Sequence, residues 1–182
     1  NSIEHAVSVI QAHAKGRIMN YADIKNLLAE RRSGHTLPQK FYTTDALFEF
    51  DLEAVFGTSW LFAGFEVEIP EPGCYISFDV GSSPILILRD HNNEIRGYFN
   101  SCRHRGSRIC QPGTGKVRTL VCPYHQWNYD LTGELKSARD MQKEFDRAEH
   151  SLIPVHVRSV SGIIYVCLAE TPPEFDGFKD II

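Results

Sequence analysis

At 182 residues, 42% hydrophobic and 23% charged, the chain has the composition of an ordinary globular protein with room for one substantial core. A formal charge of −4 argues against a nucleic-acid partner, and no stretch approaches the ~20 consecutive apolar residues of a membrane span. Residues 1–20 lack the apolar centre and small-residue cleavage site of a secretory signal, so a cytoplasmic protein is expected.

The first forty residues read as helix and connector. Asn20 is placed to cap a helix running toward Gly34, with Asp23 in its first turn and Ile24, Leu27 and Leu28 as its apolar stripe. A second helix is expected over residues 44–56, capped by Thr43 or Thr44 and stopped by Gly57. Its inward face would be Leu47, Phe48, Leu52, Val55 and Phe56.

From Ser59 the texture changes to short β-type runs at 60–65, 75–80, 85–89, 95–100, 116–121, 127–129, 134–136, 155–160 and 163–168. Turn residues punctuate them, among them Pro72-Gly73, Gly81-Ser82, Asn92-Asn93, Pro112-Gly113-Thr114-Gly115 and Thr132-Gly133. So many short strands predict an all-β sandwich or barrel. Residues 137–150 are charged and read as a surface excursion, and no internal repeat is evident. The stretch from Thr171 reads as a linker.

Five cysteines, an odd number spread over the chain, do not suggest a disulfide framework. Cys74, Cys110 and Cys167 read as small buried hydrophobes. Cys102 and Cys122 differ, because each lies within three residues of a histidine. The pattern is Cys102-Arg103-His104, then 17 residues, then Cys122-Pro123-Tyr124-His125. Each pair follows a predicted strand, so two neighbouring loops can offer four ligands to one site. A structural zinc site accepts such ligands, but its spacings usually pair like with like. One cysteine and one histidine per loop suits a two-iron cluster, in which one iron takes both thiolates and the other both imidazoles.

The segments NSCRHRGSRIC (100–110) and CPYHQWNYDLTGEL (122–135) resemble the two cluster-binding boxes of the Rieske non-haem iron oxygenases. Residues 37–64 resemble the lead-in of those enzymes' large (α) subunit, and residues 151–170 the strand pair that closes their Rieske domain. The resemblance covers about residues 37–169. It implies a mainly β Rieske iron–sulfur fold of small antiparallel sheets with two cluster-binding loops, preceded by N-terminal helices. The implied domains are a helical segment at 1–40, the Rieske domain at 41–170 and the start of a linker at 171–182.

By the same resemblance, a [2Fe–2S] cluster is held by Cys102 and Cys122 on one iron and His104 and His125 on the other. Two neutral imidazoles in place of thiolates make the site less negative than an all-cysteine cluster, which raises its potential. Respiratory relatives brace their cluster with a disulfide, but here Ser107 and Tyr124 stand at those positions. A midpoint toward the low end of the ~−150 to +300 mV Rieske range is therefore expected. Tyr124 and Trp127 are candidates to shield the cluster, and Trp127 also reads as a core aromatic. Arg103, Arg105, Arg108, Lys116 and Arg118 form a cationic cluster, which reads equally as a docking face for an acidic donor or as solvated surface.

The resembled enzymes also hold a mononuclear non-haem Fe(II) on two histidines and a carboxylate. The remaining histidines here, His5, His13, His35, His91, His150 and His156, are scattered and form no such set, so that catalytic domain is expected outside this chain. No catalytic residue is therefore assigned. The implied partners are a reductase or ferredoxin donor, a small-molecule substrate and, at full length, two further copies in a homotrimer. The box wording is most similar to demethylases of glycine betaine and related quaternary ammonium compounds. Ring-hydroxylating dioxygenases share nearly all of it, and a stand-alone Rieske ferredoxin is the reading from outside the enzymes.

Overall fold

The computed structural model describes residues 19, 21–139, 141–142 and 144–179; the Asn20 cap and the reading of residues 1–18 lie outside them. The chain divides into two compact units, Asn1–Gly57 and Thr58–Ile182.

In the first unit, α1 (Tyr21–Ala29) is followed by the short α2 (Lys40–Thr43) and by α3 (Asp45–Asp51), which continues as a π-helical turn over Leu52–Phe56. Thr44 separates α2 from α3 by taking an extended conformation, φ −101° and ψ 117°. The turn closes with the Gly57 amide on the Leu52 carbonyl at 2.7 Å. A Cβ at Gly57 would sit 2.8 Å from the Glu53 carbonyl oxygen, so the close of the turn requires glycine. The inward face is narrower than the sequence suggests. Leu47 is buried, whereas Phe48, Val55 and Phe56 are exposed. The wider π turn takes Val55 and Phe56 out of phase with Leu47.

The second unit is built from small antiparallel sheets, as the alternating runs require. One sheet orders β1 (Leu61–Phe65), β10 (Ile163–Cys167) and β9 (His156–Val160). The second orders β4 (Ile95–Phe99), β3 (Ser83–Arg89), β2 (Cys74–Val80) and β5 (Gly113–Lys116). The third orders β6 (Leu120–Val121), β7 (Asn128–Tyr129) and β8 (Leu135–Ser137). A helical turn, α4 (Asp176–Lys179), lies after the last strand. Ser161 and Gly162, at φ 51° and 79°, join β9 to β10 with Val160 paired to Ile163. Two consecutive positive φ values make the two-residue turn whose twist matches the strands.

Strand β3 explains the arrangement. Ile85, Leu86, Ile87 and Leu88 are all fully buried, because a central strand covered on both faces reads as a continuous apolar run. Ile85 and Ile87 pack with Ile76, Val155, Ile164 and Val166 toward the β1-β10-β9 sheet. Leu86 and Leu88 pack on the opposite face with Cys102, Cys122, Trp127, Tyr129 and Leu135. One strand therefore carries both cores.

Two local readings are corrected. Residues 112–115, expected as a turn, supply most of β5, whose Gly113 and Lys116 pair with Ser77 and Cys74. Gly115 lies under the Tyr75 ring, where a Cβ would come within 2.6 Å, so the glycine serves close packing and not reversal. The run at 116–121 is consequently split between β5 and β6, in different sheets.

The chain also uses one turn twice. After β3, the Asp90 carboxylate accepts the amides of Asn92 at 2.8 Å and Glu94 at 3.0 Å and pairs with Arg96 at 2.8 Å. After β7, Asp130 accepts the amides of Thr132 at 2.9 Å and Glu134 at 3.1 Å and pairs with Lys136 at 3.1 Å. The fourth residue of each, Asn93 or Gly133, has positive φ. The sequence shows no repeat because the shared positions are an Asp, a left-handed residue, a Glu and a cation, with nothing else in common.

Candidate metal centre

The four candidate ligands lie on two loops of the same construction. In the first, after β4, the Cys102 amide donates to the Ser107 carbonyl at 2.8 Å and the Gly106 amide to the Cys102 carbonyl at 2.8 Å. In the second, after β6, the Cys122 amide donates to the Trp127 carbonyl at 2.8 Å and the Gln126 amide to the Cys122 carbonyl at 3.0 Å. Each loop thus closes on its own cysteine over the same span. The residue four places after each cysteine is left-handed, Gly106 at φ 71° and Gln126 at φ 59°.

The base of the first loop is fixed by Asn100, which is wholly buried. Its Oδ1 accepts the amides of Ile109 at 3.1 Å and Cys110 at 2.9 Å, while its Nδ2 donates to Ser77 Oγ and the Cys110 carbonyl, each at 2.8 Å. A buried amide with four partners is a rigid joint, since any lost partner leaves an unpaired group inside the core. Burial pushes the adjacent Cys110 thiol up to about 11, so it is a neutral packing residue.

At the mouth of the loops the thiols and imidazoles are set out as pairs. Cys102 and Cys122 are buried at 3% and 1% exposure, whereas His104 and His125 are half-buried. The two imidazole rings lie 4.7 Å apart between centroids, at 67°. Burial, then the neighbouring His125 and Arg105, favours the neutral form of His104, which is the form that ligates. Its Nδ1 is buried with no hydrogen-bond partner. A buried, unpartnered imidazole nitrogen beside two buried thiols and a second imidazole is the donor set that a two-iron cluster with mixed ligation requires. The residues present fit that group. Among the described residues no three His, Cys, Asp or Glu side chains converge on one single-ion position.

Aromatic residues enclose the pairs. Trp127 is 1% exposed and lies parallel to His104, with centroids 4.9 Å apart and an 8° interplanar angle. Phe145 and His150 stand edge-on behind Trp127, at 5.4 Å and 5.9 Å. Tyr124 lies over His125 at 3.9 Å yet stays 62% exposed. The charged segment read as a surface excursion therefore also folds back on the site through Phe145 and His150.

Sequence reasoning missed Tyr129. Its hydroxyl accepts the Arg103 amide at 3.1 Å and stands 3.4 Å from Cys102 Sγ. The hydroxyl proton is therefore free to point at the sulfur. Burial, then the contact with Cys102, pushes the phenol well above its usual range, so it remains a donor. The available signal was its spacing, seven residues after Cys122 on the strand that leaves the second loop. Of the five cations, two have carboxylate partners: Arg108 meets Asp79 at 2.8 Å, and Lys116 pairs with Glu71. Arg105 and Arg118 are exposed. His35, His91 and His156 are exposed.

The Rieske [2Fe-2S] domain matches residues 59–160 of this chain. The glycine betaine monooxygenase oxygenase subunit of Chromohalobacter salexigens is 43% identical over 154 residues, covering 84% of this chain and 35% of that protein. Biphenyl 2,3-dioxygenase subunit alpha of Rhodococcus jostii is 35% identical over 160 residues, covering 86% of this chain and 34% of that protein. The crystal structure of the quaternary ammonium Rieske monooxygenase CntA with L-carnitine superposes with a TM-score of 0.72 at 31% identity, over 79% of this chain and 43% of that one. That of naphthalene 1,2-dioxygenase from Rhodococcus sp. bound to indole gives 0.76 at 28% identity, over 85% and 36%. The chain spans about a third of the length of these curated relatives. With the match running through both loops and the sheets that carry them, the chain belongs to the Rieske [2Fe–2S] domain family.

Proposed function

We propose that this chain is the electron-transfer part of a Rieske non-haem iron oxygenase large subunit. The observation that carries the reading is the pair of matched loops, which bring two buried thiols and two half-buried imidazoles together in a chain of this family. Cys102 and Cys122 would hold one iron and His104 and His125 the other. When bound, the cluster supplies one-electron transfer between a reductase or ferredoxin donor and a mononuclear iron of the catalytic domain. The protein's part is to keep the thiols dry, leave the imidazole edge near the surface, and hold both loops in one geometry. Residues 41–170 form the Rieske domain in this reading, with 1–40 as a helical lead-in and 171–182 leading toward the catalytic domain.

For the whole enzyme, O₂-dependent oxidation of a small quaternary ammonium compound, such as demethylation, is the favoured activity. The 43% identity to a glycine betaine monooxygenase subunit, against 35% for a biphenyl dioxygenase subunit, supports that choice over ring hydroxylation. Similarity over 84% of the chain, well beyond the two boxes, favours an oxygenase over a stand-alone ferredoxin. A homotrimeric, cytoplasmic enzyme is part of the same proposal; among the described residues no helix is long and apolar enough to cross a membrane.

The test is to produce the chain with iron and sulfide supplied, then to count iron, sulfide and zinc and record the electron paramagnetic resonance spectrum of the reduced protein. Two irons and two sulfides per chain, lost on substituting Cys122→Ser or His125→Ala, are expected. One zinc without sulfide in anaerobically prepared protein would overturn the reading.

A further inference from the structure

Gln126 occupies the left-handed region at φ 59°, where its counterpart in the first loop is Gly106 at φ 71°. A side chain there is disfavoured, and glycine serves the backbone better. The Gln126 side chain is not idle, however. Its Oε1 accepts a hydrogen bond from the Arg139 guanidinium at 2.7 Å. Arg139 opens the segment whose Phe145 and His150 stand behind Trp127, and Trp127 in turn covers His104. The far part of the segment is tied elsewhere, by Arg147 to the Lys136 carbonyl at 2.9 Å and by the Leu152 amide to the Gly133 carbonyl at 2.8 Å. Among the described hydrogen bonds, Arg139 to Gln126 is the one that joins the covering segment directly to the second ligand loop.

We propose that Gln126 and Arg139 form a latch that holds the segment containing Phe145 and His150 closed over Trp127 and the His104 edge of the site. Both are positioning residues. The left-handed glutamine acts through its side chain, and the backbone bears the strain. A charged donor on a neutral amide oxygen at this distance is a directional bond, and it ties the segment to the residue that follows His125. The consequence for the cluster rests on the ligand assignment proposed above, whereas the latch itself is a property of the protein alone.

Hydrogen exchange of the Ala148, His150 and Leu152 amides in the chain as purified tests the latch. Chelator-driven bleaching of its visible absorption tests the consequence. Gln126→Gly removes the latch while relieving the backbone, so this variant folds. Arg139→Met removes the same bond from the other side, and Gln126→Glu keeps an acceptor for Arg139. We expect exchange about two- to fivefold faster in Gln126→Gly and in Arg139→Met, no further gain in the double variant, and protection retained in Gln126→Glu. Bleaching should accelerate in the same two single variants. Unchanged exchange in both singles, or additive effects in the double, would overturn the latch. If the parent protein carries no two-iron absorption the ligand assignment fails, and the exchange data still decide the latch independently.

Discussion

The indole of Trp127 lies parallel to the imidazole of His104, 4.9 Å away and tilted by only 8°. The stack links the fully buried core to the half-buried edge of the site, because Trp127 packs with Leu86 and Leu88 of β3 in the same cluster as Cys102 and Cys122. Replacing Trp127 by Ala should cost about 3–5 kcal/mol of stability in urea unfolding. Trp127→Phe, which keeps an aromatic face, should cost clearly less. An Ala variant within about 1 kcal/mol of the parent would mean that Trp127 is a lid and not part of the core.

Tyr129 provides a more specific lever. Its hydroxyl takes the Arg103 amide and stands 3.4 Å from Cys102 Sγ, so it donates toward the sulfur. A hydrogen bond to a sulfur ligand favours the more negative, reduced state. Tyr129→Phe is therefore expected to lower the midpoint potential of the loaded protein by about 40 mV, equivalent to a net hydrogen bond of ~1 kcal/mol in a one-electron couple. Direct electrochemistry on both proteins checks it. An unchanged or higher midpoint would show that the hydroxyl proton points elsewhere.

Asp90 makes the stability dependent on pH. Burial, the largest single influence, pushes its carboxyl up, but Arg96 and the amides of Glu94 and Asn92 together hold it below its ordinary 3.8. A carboxyl lowered by folding contributes stability that is fully present above the unfolded value and is lost as pH falls through the folded one. Asp90→Asn should therefore cost about 2 kcal/mol near neutral pH. The gap to the parent should narrow only below pH 3.8. A gap that narrowed already between pH 7 and pH 5 would contradict the assignment.

Two glycines separate strain from collision. Gly73 has φ 85°, and a Cβ there would fall 2.0 Å from the Val117 carbonyl oxygen. Gly162 has φ 79° with open space around it. Gly73→Ala is expected to cost about 3 kcal/mol or more, and Gly162→Ala about 1 kcal/mol. Thermal unfolding of the two variants side by side gives the comparison, and equal losses would refute it.

The strands and the ligand loops were legible because their signals are local. The buried run of β3 and the spacing of Cys102, His104, Cys122 and His125 announce themselves in a few consecutive residues. Other features depend on what meets them in space. Gly115 looks like a turn residue until the Tyr75 ring is seen lying across it. Asn100 looks like the end of a strand until its four partners in and around the loop are counted. Val55 and Phe56 read as inward-facing only if regular helical periodicity is carried into a turn that does not keep it, whereas Phe48 is exposed within the regular part of the helix.

The two ligand loops close on Cys102 and Cys122 through their own main chain. Eight backbone groups that would otherwise flex are already bonded to one another across residues 102–107 and 122–127. The entropy of gathering the donors is met when the chain folds, so metal loading finds the frame in place. A frame held by its own main chain also has little reason to relax when a single charge arrives or leaves. On the ligand assignment proposed above, small reorganisation at each transfer would let the cluster exchange electrons quickly in both directions.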